Sequence, residues 1–385
     1  MIDESFTKLV DSNGATFKPI EQSRNDEVEF LRVRFDHEIS VGNYSLDFKY
    51  AGEDAGGFVG FYRAPFRDQP MRMTAGTHFE ATTARRAFPC WDEPSFKAHF
   101  RMAIKHYPNY TAVSNMPEIE RVPSTDGKIL TNFDTTPLMS TYLLTFVIAD
   151  YGNISNEHGN VTVWGRKESL ENYNHVLDLS PKIVAVMENY TGLPFGCPRI
   201  GSITLPMYSA SATEHWGLVT YRDIFLEYNR TSGEYLRRAT IYGLMAHELA
   251  HSWFGNRVSP IWWDDLWLNE AFAAYFQNFI LEEIFDNWHA AEIFVTNNNH
   301  ALAFRVDTPT SIPVKWTPIT NKEIRYVFGP VTYRKGESES TTDIHPLTRQ
   351  IFNVELFFPR KVRRSFTCSA MSWATMFFEL VLKNT

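Results

Sequence analysis

The chain has 385 residues and a mass of 44.5 kDa, enough for two or three domains with cores of their own. Hydrophobic residues make up 44% of it and aromatic residues 15%, a richness in large apolar side chains that excludes a mostly disordered chain. A formal net charge of -8 argues against a nucleic-acid binder, which needs a basic footprint to follow phosphates.

Cys90, Cys197 and Cys368 cannot build a disulfide framework in so long a chain, and no CxxC pair offers itself to a metal. The start, Met1-Ile2-Asp3-Glu4-Ser5, lacks the basic-then-apolar pattern of an export signal. No stretch approaches the length of apolar residues that spans a bilayer, so no membrane span is expected. Against this stand six Asn-x-Ser/Thr triplets, at Asn43, Asn109, Asn153, Asn160, Asn189 and Asn229, where chance would give about three. They lean towards a glycosylated parent at the plasma membrane or outside the cell, while the missing signal leaves the cytoplasm open. The sequence does not disclose an oligomeric state.

Residues 1 to about 152 read as β-rich. Leu31 to Phe35 and Tyr44 to Tyr50 alternate with the two-residue period of half-buried strands. The run from Met139 to Ala149 is almost continuously apolar and predicts a fully buried strand. From Glu168 the period lengthens, and Val176, Ile183, Met187 and Tyr190 fit one helical face. The clearest helix is predicted from about Ser232 to Phe254, opened by a Thr231/Glu234 capping box and closed near Gly255. A second buried helix is expected over roughly Leu268 to Ile284. Beyond Gly336 a polar linker, Glu337 to Thr342, leads to a basic cluster, Pro359 to Arg364. The bland reading of that cluster, a solvated charge run, is preferred over targeting or nucleic-acid binding.

The chemistry concentrates in His247-Glu248-Leu249-Ala250-His251. Positions four apart on a helix are separated by about 400° of rotation, so both imidazoles project from one face, as two corners of a tetrahedral Zn²⁺ site require. Two structural histidines on a core helix would also satisfy the pentad. Glu270, on the next helix, reduces that alternative, because antiparallel packing would bring its carboxylate to the pair and leave a fourth corner open for catalysis. Glu248 points about 100° away from the metal direction, where a general base for the attacking water belongs.

His247 to Asn256, continuing through Trp262-Trp263-Asp264-Asp265-Leu266-Trp267-Leu268-Asn269-Glu270, closely resembles the zinc site of the M1 family of aminopeptidases, the gluzincins related to aminopeptidase N. Thr77-His78-Phe79-Glu80, Ala84 to Pro94, Ser114-Asn115-Met116-Pro117, Met139 to Leu144 and Thr332 to Gly336 resemble further family motifs, so the similarity covers about residues 30 to 336. The resemblance implies an α+β chain: an N-terminal antiparallel β-sandwich or saddle domain over 1–152, a thermolysin-like mixed α/β zinc peptidase domain over 153–336, and a divergent tail over 337–385 expected to be poorly ordered. The family's helical C-terminal domain is expected to be missing.

It further implies one Zn²⁺ per chain on His247, His251 and Glu270, with Glu248 as base and Tyr333 steadying the oxyanion. Family members carry a Gly-Ala-Met-Glu-Asn motif, matched here by Ser211-Ala212-Thr213-Glu214-His215. Glu214 is implied to pair with the substrate's free α-ammonium, so that only the N-terminal peptide bond meets the metal. Ser211, Ala212 and His215 are implied to contact substrate. His78 stands where the family usually has glutamine and would line the same pocket. Trp262, Trp263 and Trp267 are expected to pack the zinc subdomain rather than touch substrate. The expected function is hydrolysis of peptides with a free N-terminus. A catalytically impaired peptide-binding form and a thermolysin-like endopeptidase are the alternatives.

Overall fold

The computed structural model of the chain describes residues 2–52, 54, 56–228, 235–286, 288–289, 313–329, 331–335 and 374–379. Among these, the first 150 or so are built of short antiparallel strands. Lys8–Asp11 lies between Thr16–Phe17 and Tyr44–Asp47. Glu21–Asn25 and Phe30–Arg34 form a separate ribbon, in which Leu31 and Val33 are half-buried and Phe30, Arg32 and Arg34 exposed. The two-residue period thus marks the strand, although one face has little core to cover.

Two four-stranded sheets follow. One runs Gly60–Pro65, Met73–His78, Phe146–Ala149, Thr111–Ser114, antiparallel throughout. The other runs Glu118–Pro123, Ile129–Thr135, Phe100–His106 and, at its edge, Ala374–Glu379, parallel to its neighbour. The tail expected to lack order therefore contributes one strand, while Glu337 to Thr342 and Pro359 to Arg364 lie outside the described residues.

The single strand expected from Met139 to Ala149 is a misreading. Met139 makes an isolated bridge to Ala98, a tight turn covers Thr141–Leu143, and only Phe146–Ala149 pairs as a strand. The run is buried throughout, so hydrophobicity reports burial correctly and conformation wrongly. Asn115 causes the difference by standing in for a strand partner. Its Nδ2 donates to the Leu143 carbonyl at 2.8 Å, and its Oδ1 accepts from the Thr145 amide at 2.8 Å.

From Gly152 a mixed five-stranded sheet begins, in the order Gly152–Ser155, Val161–Gly165, Ile200–Leu205, Leu218–Arg222, Ala212–Thr213. Its inner steps are parallel and its two outer steps antiparallel. Helix α1, Asn174–Thr191, connects the second and third strands; Val176, Ile183 and Met187 on its inner face are fully buried, and Tyr190 partly.

Helix α2, Tyr235–Ala250, ends four residues earlier than its hydrophobic pattern predicts. The amides of Asn256, Arg257 and Val258 bond carbonyls five residues back, at 3.0, 3.2 and 3.2 Å. This wider spacing unwinds the helix, and Gly255 reverses the chain at φ 125°. The Thr231/Glu234 cap lies outside the described residues. Helix α3, Leu266–Ile284, begins two residues before the predicted start, after a tight turn at Trp263–Asp265.

The three helices share one core with the sheet, including Val163, Met187, Met245, Leu249, Phe272 and Phe276. A second cluster joins Phe79, Met139, Tyr142 and Leu143 to Trp216, Trp263 and Leu266. Burial across the two halves, rather than a loose tether, fixes their relation. No helix among the described residues is long and apolar enough to cross a membrane.

Candidate active site

His247 lies in the last turn of α2 and His251 just beyond it, yet the His251 amide still bonds the His247 carbonyl at 3.3 Å. The helical register therefore persists, and both rings face α3. Glu270 lies one turn into α3 and is buried with them. Nε2 of His247 is 3.2 Å from Nε2 of His251. Oε2 of Glu270 lies 3.3 Å from the first and 3.5 Å from the second.

These separations test the fit to a metal. Zinc bonds of about 2.0–2.1 Å in a tetrahedron place neighbouring ligand atoms about 3.3–3.4 Å apart, and the three donors match that triangle. Nδ1 of His251 faces the Phe254 carbonyl at 2.9 Å. That nitrogen must carry the hydrogen, which leaves Nε2 with a lone pair for a cation, as in sites that orient a metal-binding imidazole through its other nitrogen. His247, His251 and Glu270 are thus a buried donor set suited to zinc.

Carboxylates crowd this centre. Burial raises Glu248 well above the ordinary range; His251 opposes the rise, and Glu214 and Glu270 add to it. Burial likewise raises Glu214, against His251 and with Glu270. Burial by itself would lower the pKa of His251, but Glu214, Glu270 and Glu248 outweigh it and raise it, because the carboxylates favour positive charge beside Nε2, whether from a proton or from a metal ion in its place. The cluster demands positive charge at its middle.

Glu80 belongs to the same cluster. Burial, then Glu214 and Glu270, raise it well above the carboxylate range, and its Oε1 is buried without a hydrogen-bond partner among the described residues. Sequence reasoning passed over it, although it stands two residues after His78 in a segment already singled out.

Tyr333 reaches the site from a short helical turn, Val331–Lys335. Its ring centroid lies 6.2 Å from that of His247, at an interplanar angle of 27°. Burial, then Glu270, Glu80, Glu214 and Glu248, raise its phenol well above 10, so it stays protonated.

The remaining predicted contacts divide. Ala212 is half-buried in the edge strand that leads to Glu214, and Ser211, just before it, is exposed with its carbonyl taken by the Arg222 amide at 2.9 Å. His215 is fully buried, and its Nδ1 meets Thr220 Oγ1 at 2.9 Å. It acts as wall, with nothing exposed for a ligand to touch. His78 is nearly buried; its Nδ1 meets Ser209 Oγ at 2.6 Å and its ring lies 4.8 Å from Tyr208. Burial pushes its pKa down to about 4. Trp263 is fully buried, 5.4 Å from the ring of Tyr142, and Trp262 Nε1 donates to the Pro318 carbonyl at 3.0 Å.

Comparison with known proteins accords with this arrangement. Residues 1–143 match the peptidase M1 N-terminal domain, and residues 175–353 the peptidase family M1 domain. The chain is 35% identical over 310 residues to endoplasmic reticulum aminopeptidase 1 of Mus musculus, covering 76% of this chain and 32% of that protein. It is 33% identical over 338 residues to aminopeptidase N of Bos taurus, covering 84% and 35%. With aminopeptidase 2, mitochondrial, of Saccharomyces cerevisiae it shares 37% over 306 residues, covering 77% and 32%. The chain spans about a third of the length of these curated relatives. Two domain models of one family, matched in order over most of the sequence, place this chain in peptidase family M1.

Proposed function

We propose that this chain forms the catalytic part of a zinc-dependent aminopeptidase, which removes the first residue from peptides with a free N-terminus. The observation that carries the reading is the position of two buried carboxylates, Glu214 and Glu80, within the field of the His247, His251 and Glu270 triangle. Burial makes charged carboxylates costly unless a cation partners them. A substrate's α-ammonium supplies one, and it holds the adjoining peptide bond beside the metal site.

His247, His251 and Glu270 would hold the ion. When bound, zinc polarises the scissile carbonyl and lowers the pKa of the attacking water towards about 7. Glu248, buried beside the two ring nitrogens, takes the water's proton onto its carboxylate and passes it to the departing amine. Tyr333, protonated throughout, donates its phenolic hydrogen to the oxygen that becomes negative. Glu214 and Glu80 fix the amine, and thereby which bond is presented.

The edge strand Ala212–Thr213 supports the same reading. Among the described residues it pairs with Leu218–Arg222 on one side only, and the opposite edge would suit an extended peptide leading to Glu214. The names of two relatives above mention the endoplasmic reticulum and the mitochondrion. The asparagines of all five described Asn-x-Ser/Thr triplets are exposed, which suits a glycoprotein.

The test compares purified, zinc-loaded protein on an aminoacyl fluorogenic peptide and its N-acetylated twin. Cleavage of the free peptide alone is expected. Equal cleavage of both would instead mark an endopeptidase, and zinc without any turnover would mark a peptide-binding form.

A further inference from the structure

The turn after the metal-site histidines makes a second set of contacts that the chemistry above leaves unused. Asn256 is fully buried there. Its Nδ2 donates to the backbone carbonyl of Glu214 at 2.8 Å. The turn itself is held from the N-terminal half: Lys97 Nζ donates to the carbonyls of Asn256 and Arg257 at 3.2 and 2.8 Å, and the Tyr142 hydroxyl donates to that of Gly255 at 3.3 Å.

Glu214 lies between two strands, in a stretch whose backbone needs partners to keep one position. A carboxylate that must meet an ammonium group beside a metal has little tolerance for drift, about 0.5 Å in engineered sites. Within the described residues the amide of Asn256 directly joins the Glu214 backbone to the turn that follows His251.

We propose that Asn256 is a positioning residue that fixes the amine anchor Glu214 against the metal-bearing turn, with Lys97 bracing that turn from the N-terminal half. The inference rests on the aminopeptidase reading above. It explains why Lys97, remote in sequence from the histidines, ends on the carbonyls of Asn256, which ties the anchor, and of its neighbour Arg257.

The test is a double-mutant cycle on the zinc-loaded full chain, using Asn256→Ala, Asn256→Asp, Glu214→Ala and their combinations. Both Asn256 variants are expected to keep about one equivalent of zinc and to raise KM for a free-amine substrate about tenfold, the scale of one lost buried hydrogen bond, with kcat less affected. Their preference for L-leucinamide over N-acetyl-L-leucinamide in calorimetric binding is expected to fall in step. On the Glu214→Ala background, Asn256→Ala is expected to change neither by more than about twofold, because no anchor remains to be positioned. Lys97→Met is expected to shift KM in the same direction and Lys97→Arg to restore it, which keeps the question answerable should Asn256→Ala not fold. Additive effects of Asn256→Ala and Glu214→Ala, or loss of zinc in both Asn256 variants, would overturn the proposal. A wild-type protein that binds the two amides equally would instead remove the aminopeptidase reading, and this inference with it.

Discussion

His247 Nε2 and Glu270 Oε2 stand 3.3 Å apart across the gap between α2 and α3, both buried. Neither group gains from being there alone. Burial raises the carboxyl pKa, and the two imidazoles more than offset that, holding Glu270 ionised at about 2. An ionised acid facing two ring nitrogens at tetrahedral spacing is a site prepared for a cation.

Glu270→Gln should therefore abolish metal binding while leaving the fold intact, because the amide fills the same space without the charge. Zinc affinity is expected to fall by at least about 100-fold, since even an indirect partner of a metal ligand is worth about 10–100-fold. Chelator competition with elemental analysis measures it. Retention of a full equivalent would place the metal elsewhere.

Glu248→Gln should lower kcat by roughly 10²–10⁴, the range of a lost general base. Zinc should stay near one equivalent, because Glu248 is not among the three facing donors. Unimpaired turnover would remove Glu248 from the proton transfer.

Tyr333→Phe keeps the ring that lies 6.2 Å from His247 and deletes only the donor. A fall in kcat of about 10²–10³ is expected, as for other single oxyanion donors, with KM nearly unchanged. An effect confined to KM would show that the phenol binds the ground state instead.

Gly255→Ala should destabilise the protein by about 1–3 kcal/mol. At φ 125° a side chain is strained in any case, and the new Cβ would lie 3.3 Å from both His251 Nδ1 and Asn269 Nδ2. Urea melts give the stability change, and chelator competition shows whether His251 is displaced.

His78 supplies a pH signature. Burial holds its folded-state pKa at about 4, below the value of about 6.5 for an unfolded chain. Between those values the unfolded state binds more protons, so this group's contribution to stability is complete above about pH 6.5 and is lost as the pH falls towards 4. At pH 5 the loss amounts to about 1–2 kcal/mol. Urea melts at pH 7 and 5 should show a smaller difference for His78→Gln than for wild type. Identical differences would mean that the ring is solvated.

Several features were legible because short-range rules fix them. A four-residue spacing puts His247 and His251 on one helical face whatever surrounds them. The apolar period of α3 located that helix to within a turn, and that of α1 named the residues of its buried face. The hydrophobic run at Met139 to Ala149 was legible only as burial, because the side chain of Asn115, far back in the chain, replaces a strand partner there. Glu80 was missed for a similar reason: nothing local distinguishes a glutamate just past a strand end from one whose carboxyl is raised by the charges of Glu214 and Glu270, brought near by the fold.

The sequence by itself determined which side chains could ligate a metal and which residues could build helices and strands, since spacing and side-chain chemistry are local properties of a chain. Only the tertiary structure decided that Glu270 closes the triangle, that Tyr333 and Glu80 join it, that His215 is sealed in the wall, and that Asn256 ties Glu214 to the metal-bearing turn. Those relations depend on how whole elements pack. Packing is set by burial summed over many distant residues, and no short stretch of sequence contains that sum.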